Sequence, residues 1–210
     1  MNSILYLVVA LVAISVLSPV LRMLIAAVAG KQVGAAALAK QPEAIHLEKK
    51  DASAWKNAAG ANALARPLLA RGFEDAGTCT VREMPGLVVQ LLAHSGDSVY
   101  AAVYEHPKVG QWLDVYSRYQ DGTSFTVTTA KPTGMNPRPG HDTVHVSDST
   151  PEQVLMRALQ ARPRKWFDTT SAERAIPVFE KAYADSMAYR KSVGVSRKEV
   201  MNVAMKRNAA

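Results

Sequence analysis

The chain has 210 residues, 48% of them hydrophobic, a formal net charge of +7 and a single cysteine, Cys79. One cysteine excludes an internal disulfide, and nothing suggests an oxidising compartment. The positive charge is a poor fit to nucleic acid: residues 1–72 carry net +5, residues 73–150 net −4 and residues 151–210 net +6, so an acidic middle separates two basic ends, and no recognised nucleic-acid motif is present.

The first predicted element is a transmembrane helix. From Asn2 to Leu21 no residue is charged, and twenty residues at ~1.5 Å rise cover about 30 Å, the hydrocarbon thickness of a bilayer. A secretory signal would carry a basic n-region, but Met1-Asn2-Ser3 has no Lys or Arg, and the apolar run exceeds a typical signal core. A buried or interfacial helix would show a polar or charged face, and only Ser15 and Ser18 interrupt this one. Pro19 predicts a modest kink. Arg22 ends the uncharged stretch, apolar residues resume at Met23, and Gly30 closes the segment. The anchor is therefore placed at 1–30, with Arg22 either snorkelling to headgroup phosphate or buried against a partner's transmembrane helix.

Only the C-terminal flank of this helix is basic, through Arg22, Lys31, Lys40, Lys49 and Lys50. The positive-inside rule then predicts a single-pass protein of a cell inner membrane, N-terminus outside and the rest cytoplasmic. Arg22, Lys31 and Lys40 are the candidate contacts to anionic lipid.

Residues 31–52 read as a juxtamembrane linker or a continued surface helix, because Gly34, Pro42 and the cluster Glu48-Lys49-Lys50-Asp51 interrupt any hydrophobic period. A cytoplasmic α+β domain is expected over 53–195. It opens with an Ala-rich helix over 53–71 carrying Trp55, Leu64, Leu68 and Leu69, with a break at Gly60 or before Pro67 and Gly72 as its C-cap. Strands are predicted at 77–83, 87–94, 98–106, 111–119, 123–130 and 143–146, all rich in β-branched and aromatic residues. Met84-Pro85-Gly86, Ser95-Gly96-Asp97 and Gln120-Asp121-Gly122 supply tight turns. Such short loops force antiparallel neighbours, giving a meander of about five to six strands flanked by helices. Alternation along 111–119 puts Leu113, Val115, Ser117 and Tyr119 on a core face, and Trp112, Asp114, Tyr116 and Arg118 on a half-exposed one.

Residues 131–142 hold three Pro and two Gly and are expected to form an extended loop. Thr150-Pro151-Glu152-Gln153 is a capping box that starts a helix ended by Pro163. Thr170-Ser171-Ala172-Glu173 is a second, followed by an apolar seam of Ile176, Phe179, Tyr183 and Met187, with Pro177 expected to kink or restart the helix. Ser196-Arg197-Lys198-Glu199 caps a short final helix, and 196–210 form that helix and a polar tail.

No specific active-site constellation is found. There is no Walker loop, dinucleotide fingerprint, nucleophile elbow or paired-Cys motif. Of His46, His94, His106, His141 and His145, only the last two are four apart, and on a strand that step covers roughly 13 Å, too far for a shared metal. Cys79 reads as a buried structural thiol, and Asp114 and Glu105 as solvated or salt-bridged carboxylates. No catalytic, metal or cofactor-binding residue is assigned, and no cofactor is expected.

The run Tyr104-Glu105-His106-Pro107-Lys108-Val109-Gly110-Gln111-Trp112-Leu113-Asp114, followed by Arg118-Tyr119-Gln120-Asp121-Gly122-Thr123-Ser124, resembles a pattern in small uncharacterised bacterial proteins with a membrane anchor. The likeness covers about 70 residues, through Arg138-Pro139-Gly140-His141. It implies an anchor and a similar fold, and carries over no catalytic residue.

Two functions from different classes fit. One is a non-catalytic accessory or assembly subunit, docking on other integral membrane subunits, as in a respiratory or photosynthetic complex, through its transmembrane helix and soluble domain. The other is a membrane-tethered binding module for a small amphipathic ligand or lipid, with Tyr100, Trp112 and Tyr116 lining a pocket or contact. A tethered enzyme would need a cleft holding two or more coupled titratable groups.

Overall fold

The computed structural model describes residues 32, 34–36, 38–196, 198–200 and 202. The expected anchor at 1–30, with Arg22, and Lys31 lie outside the described residues. Among the described residues no helix is long and apolar enough to cross a membrane. The described residues form two compact units, one from those within 32–41, 133–136 and 190–202, the other from 42–132 and 137–189.

The larger unit is α+β, as expected. Seven strands form one sheet in chain order: β1 (Leu47–Lys50), β2 (Glu74–Val81), β3 (Val88–His94), β4 (Val99–His106), β5 (Gly110–Arg118), β6 (Ser124–Thr128) and β7 (His141–His145). Three helices accompany them: α1 (Ala58–Leu69), α2 (Pro151–Ala161) and α3 (Ala172–Val193). The short loops between β2 and β6 dictate antiparallel pairing, and the sheet is antiparallel from β1 through β6. A bulge shifts the β2–β3 register between Asp75 and Gly77, where Gly77 takes φ +116 and its amide donates to the Asp75 carboxylate.

Both faces of the sheet are covered. On one, Ala61, Ala65 and Leu68 of α1 and Val154, Leu155 and Ala158 of α2 pack on Leu92, Val99, Ala101, Val103, Leu113, Val115, Phe125 and Val127. On the other, Ala175, Ile176, Phe179 and Tyr183 of α3, with Ile45, cover Cys79, Val89, Leu91, Tyr100, Ala102, Tyr104 and Tyr116. Coverage on both sides explains why β3 and β4 are buried almost throughout rather than alternating with solvent.

Several expectations need correction. The segment 31–52 is neither all linker nor all helix. Helical residues lie between 32 and 39, and β1 pairs with β2 through Leu47↔Val81 and Lys49↔Cys79. Its charges hid it, yet an edge strand tolerates charge because one side of its backbone faces no neighbour. The sheet has seven strands among the described residues, not five to six. The last strand begins at His141, inside the predicted loop, and runs parallel to β6, with Ser124↔His141 and Thr128↔His145. Residues 129–140 are long enough to carry the chain back along the sheet, which a tight turn cannot do.

The first helix starts at Ala58 and is not broken at Gly60 or Pro67. The Asn57 side chain accepts from the Gly60 amide at 3.0 Å, and a Cβ on Gly60 would collide with the Gln111 and Asn57 carboxamides. Pro177 does not restart the third helix, which runs on as one element. The Thr150–Gln153 capping box forms as read.

In the smaller unit, Glu199 is buried and accepts from the Ser196 amide and hydroxyl at 2.9 and 2.8 Å and from the Asn136 amide at 2.8 Å. Arg190 pairs with it at 2.8 Å. Burial opposes the charge, but the Ser196 and Asn136 amides, the Ser196 hydroxyl and Arg190 outweigh it and hold the carboxyl down at about 2. The Ser196 cap is thus a reciprocal one, since the Ser196 hydroxyl also accepts from the Glu199 amide at 3.2 Å.

Candidate functional site

The α3-facing side of the sheet carries a polar centre inside an aromatic frame. Antiparallel pairing sets Tyr100 opposite Tyr116, Ala102 opposite Asp114 and Tyr104 opposite Trp112. Directly paired residues share a face, so two aromatic pairs flank one carboxylate. The Tyr104 and Trp112 rings stack at 4.5 Å and 9°, and the Tyr100 and Tyr116 rings at 5.5 Å and 25°. Phe179 of α3 adds a third ring, 6.1 Å from Tyr104. Ala102 leaves the row over Asp114 free of bulk. The row continues across the sheet, as Asp114 pairs with Thr128 and Thr128 with His145.

The electrostatics follow from this frame. Asp114 retains partial surface exposure as a residue, but its Oδ1 is buried and meets no hydrogen-bond partner. Burial pushes its carboxyl up from the ordinary carboxylate range to about 6, while the Thr128 and Tyr104 hydroxyls and nearby His145 limit the rise. Burial, and then the neighbouring Asp114 charge, drives the Tyr104 phenol well above its ordinary value. The Tyr116 phenol is also raised by burial, and its hydroxyl is a second buried atom without a partner. Each of these atoms is left open to a small polar group or an ordered water.

The structure thus brings together Trp112 and Tyr116, both half-buried, with Asp114 between them. Tyr100 lies deeper, 1% exposed, with its hydroxyl donating to the Thr169 carbonyl at 3.3 Å. Lys40 is exposed at a turn in the smaller unit. The solvated or salt-bridged reading of Asp114 and Glu105 does not hold. Glu105 is buried, and its two oxygens accept from the Lys56 and Asn57 amides at 2.7 and 2.9 Å and from the Gln111 carboxamide at 2.8 Å. Sequence reasoning missed Tyr104, Thr128 and His145. The short turn between β4 and β5 could have given the Tyr104–Trp112 pairing, but the parallel register that adds His145 has no local signal.

The remaining candidates are structural. Cys79 is buried and its thiol is raised by burial. His141 meets the Ser124 hydroxyl at 2.8 Å and is lowered, first by burial and then by Arg138. His94 and His106 lie at opposite ends of the β3–β4 pair. Among the described residues no group of three or more His, Cys, Asp and Glu is placed to hold a metal.

No protein-family model, no curated protein and no solved structure matches this chain.

Proposed function

We propose that this protein is a membrane-anchored, non-catalytic accessory subunit that docks on other integral membrane subunits through its N-terminal helix and its α+β unit. The observation that carries this reading is the uncharged stretch Asn2–Leu21 followed by five Lys and Arg up to Lys50. Twenty such residues favour hydrocarbon, and the cations hold the following domain at an anionic surface. A compact domain kept at a bilayer meets other membrane subunits at high effective concentration. The site residues Arg22, Lys31 and Lys40 belong to the lipid-facing part of this proposal. Purification from native membranes in a mild detergent, with the particle mass measured, tests it. The expected particle is heavier than the 22.7 kDa chain in its micelle and contains other integral membrane proteins; a lone monomer contradicts the reading.

A second reading is favoured by one specific observation, the unpartnered Asp114 Oδ1 and Tyr116 hydroxyl inside an aromatic frame. A small amphipathic molecule would place a donor on Asp114 and apolar surface on Trp112. Native mass spectrometry tests this: a bound mass retained by the wild type and lost in Asp114→Asn supports it, and identical spectra contradict it.

A further inference from the structure

Beyond the Asp114 frame, the segment joining α2 to α3 has a surface that no fold requirement explains. Its backbone is fixed. The Trp166 carbonyl accepts from the Gln120 amide at 3.0 Å, Phe167 bridges to Tyr119, and the Asp168 amide donates to the Arg118 carbonyl at 2.9 Å. Extended backbone turns successive side chains to opposite sides. Phe167 points in and stacks on Tyr119 at 5.4 Å, with the Arg162 guanidinium 4.3 Å over its ring. Trp166 points out and is 83% exposed. Met156, on α2, is 49% exposed. A groove of about 690 Å³ is lined by Leu159, Arg162, Pro163, Arg164, Trp166 and Phe167 among others.

Charge distinguishes the possible occupants. No acidic residue lies between Glu152 and Asp168, while Arg157, Arg162, Arg164 and Lys165 do. Two of these are already engaged. Arg162 donates to the Asp97 carbonyl and the Ser117 hydroxyl, and Lys165 pairs with Asp121 at 2.9 Å. Arg157 and Arg164 have no acidic partner among the described residues. The free Arg164 guanidinium beside an exposed Trp matches residue types enriched in protein interfaces. A flat anionic bilayer is a weaker fit, because the feature is concave and its one lysine, Lys165, is neutralised by Asp121.

We infer that this groove receives an acidic segment of a partner membrane subunit, with a carboxylate on Arg164 and an apolar side chain against Trp166. The inference rests on the accessory-subunit reading and names the surface and partner chemistry it uses. A held backbone with an uncovered side chain suits this role, since little ordering entropy is lost when the partner binds.

The test uses the full chain in native membranes. A photoreactive benzophenone residue replaces Trp166, and the cross-linked product is sequenced. The expected product is a peptide of another integral membrane protein with net negative charge and apolar side chains. Cross-links to lipid alone, to a second copy of this chain, or to a neutral or basic peptide overturn the inference. In parallel, Arg164→Glu and Trp166→Ala are purified beside the wild type and beside Lys108→Glu, an exposed charge on the β4–β5 turn. The first two are expected to lose at least tenfold of the associated subunits, and Lys108→Glu none. If the wild type carries partners and both groove variants keep them, this surface is wrong and the accessory reading stands. If the wild type itself purifies alone, both fall.

Discussion

Glu105 and Asp114 lie on neighbouring strands of one sheet, on opposite faces, and their carboxylates fare differently. Glu105 lies on the face covered by α1, where the residues that lead into the helix present free amides. Lys56 and Asn57 donate to its two oxygens, and Gln111 adds a third bond. Asp114 lies on the face covered by α3, which presents the middle of a helix, whose amides are already used. That face offers rings and methyls instead, so Oδ1 stays unpartnered and the carboxyl rises to about 6. The contrast shows that a buried charge is satisfied by helix ends and strained by helix sides. It also separates a structural residue from one left available for other chemistry.

Four substitutions break or sharpen this contrast, each read by reversible unfolding of the full chain in detergent. The largest effect belongs to Leu113→Ala, on the sealed face, where Leu113 is fully buried. A loss of about 3–4 kcal/mol is expected, equal at pH 5 and pH 8, since a cavity does not titrate. Glu105→Ala follows, with a loss of about 2–3 kcal/mol, because the amides of Lys56 and Asn57 lose their acceptor. A loss below about 0.5 kcal/mol would mean that water replaces the carboxylate without penalty.

Asp114→Asn is expected to act in the opposite direction. The folded carboxyl titrates at about 6 against 3.8 for an ordinary Asp. The folded state therefore binds the proton more tightly, and wild-type stability falls as pH rises from about 4 to about 6. Above that window the charge costs roughly 2–3 kcal/mol. The Asn variant should be more stable than wild type at pH 8 by roughly 2 kcal/mol, and lack the slope between pH 4 and 6. Equal pH profiles would show that Asp114 is solvated after all. The smallest effect is Tyr116→Phe, a gain of up to about 1 kcal/mol from removing an unpartnered hydroxyl. A loss of that size would reveal a partner for it.

Much of this fold is legible in the sequence wherever local chemistry decides. The β2–β6 meander follows from turn residues, the face assignment along β5 from alternation, and the start of α2 from the Thr150–Gln153 box. What escapes is decided by distant partners. Glu48-Lys49-Lys50 reads as a solvated run, and only the edge of β2 makes it a strand. The direction of β7 depends on the path of residues 129–140, which has no periodic signal. Pro177 reads as a break, but the packing of Ile176 and Phe179 on the sheet keeps one helix. The candidate site was half visible. Trp112, Asp114 and Tyr116 share a face by counting, whereas the burial of Asp114 arises from rings on β4 and α3 that no window around it contains.

The accessory-subunit proposal depends on residues 1–30 crossing a bilayer, and topology measures that directly. Single cysteines are introduced as Ser3→Cys and Val109→Cys in Cys79→Ala, and intact cells are treated with a membrane-impermeant maleimide. The proposal predicts that the chain stays in the membrane fraction through an alkaline wash, that Cys at position 3 is labelled, and that Cys at position 109 is labelled only after lysis. Release of the chain into the alkaline supernatant, or protection of position 3 in intact cells with labelling of both sites after lysis, would contradict it.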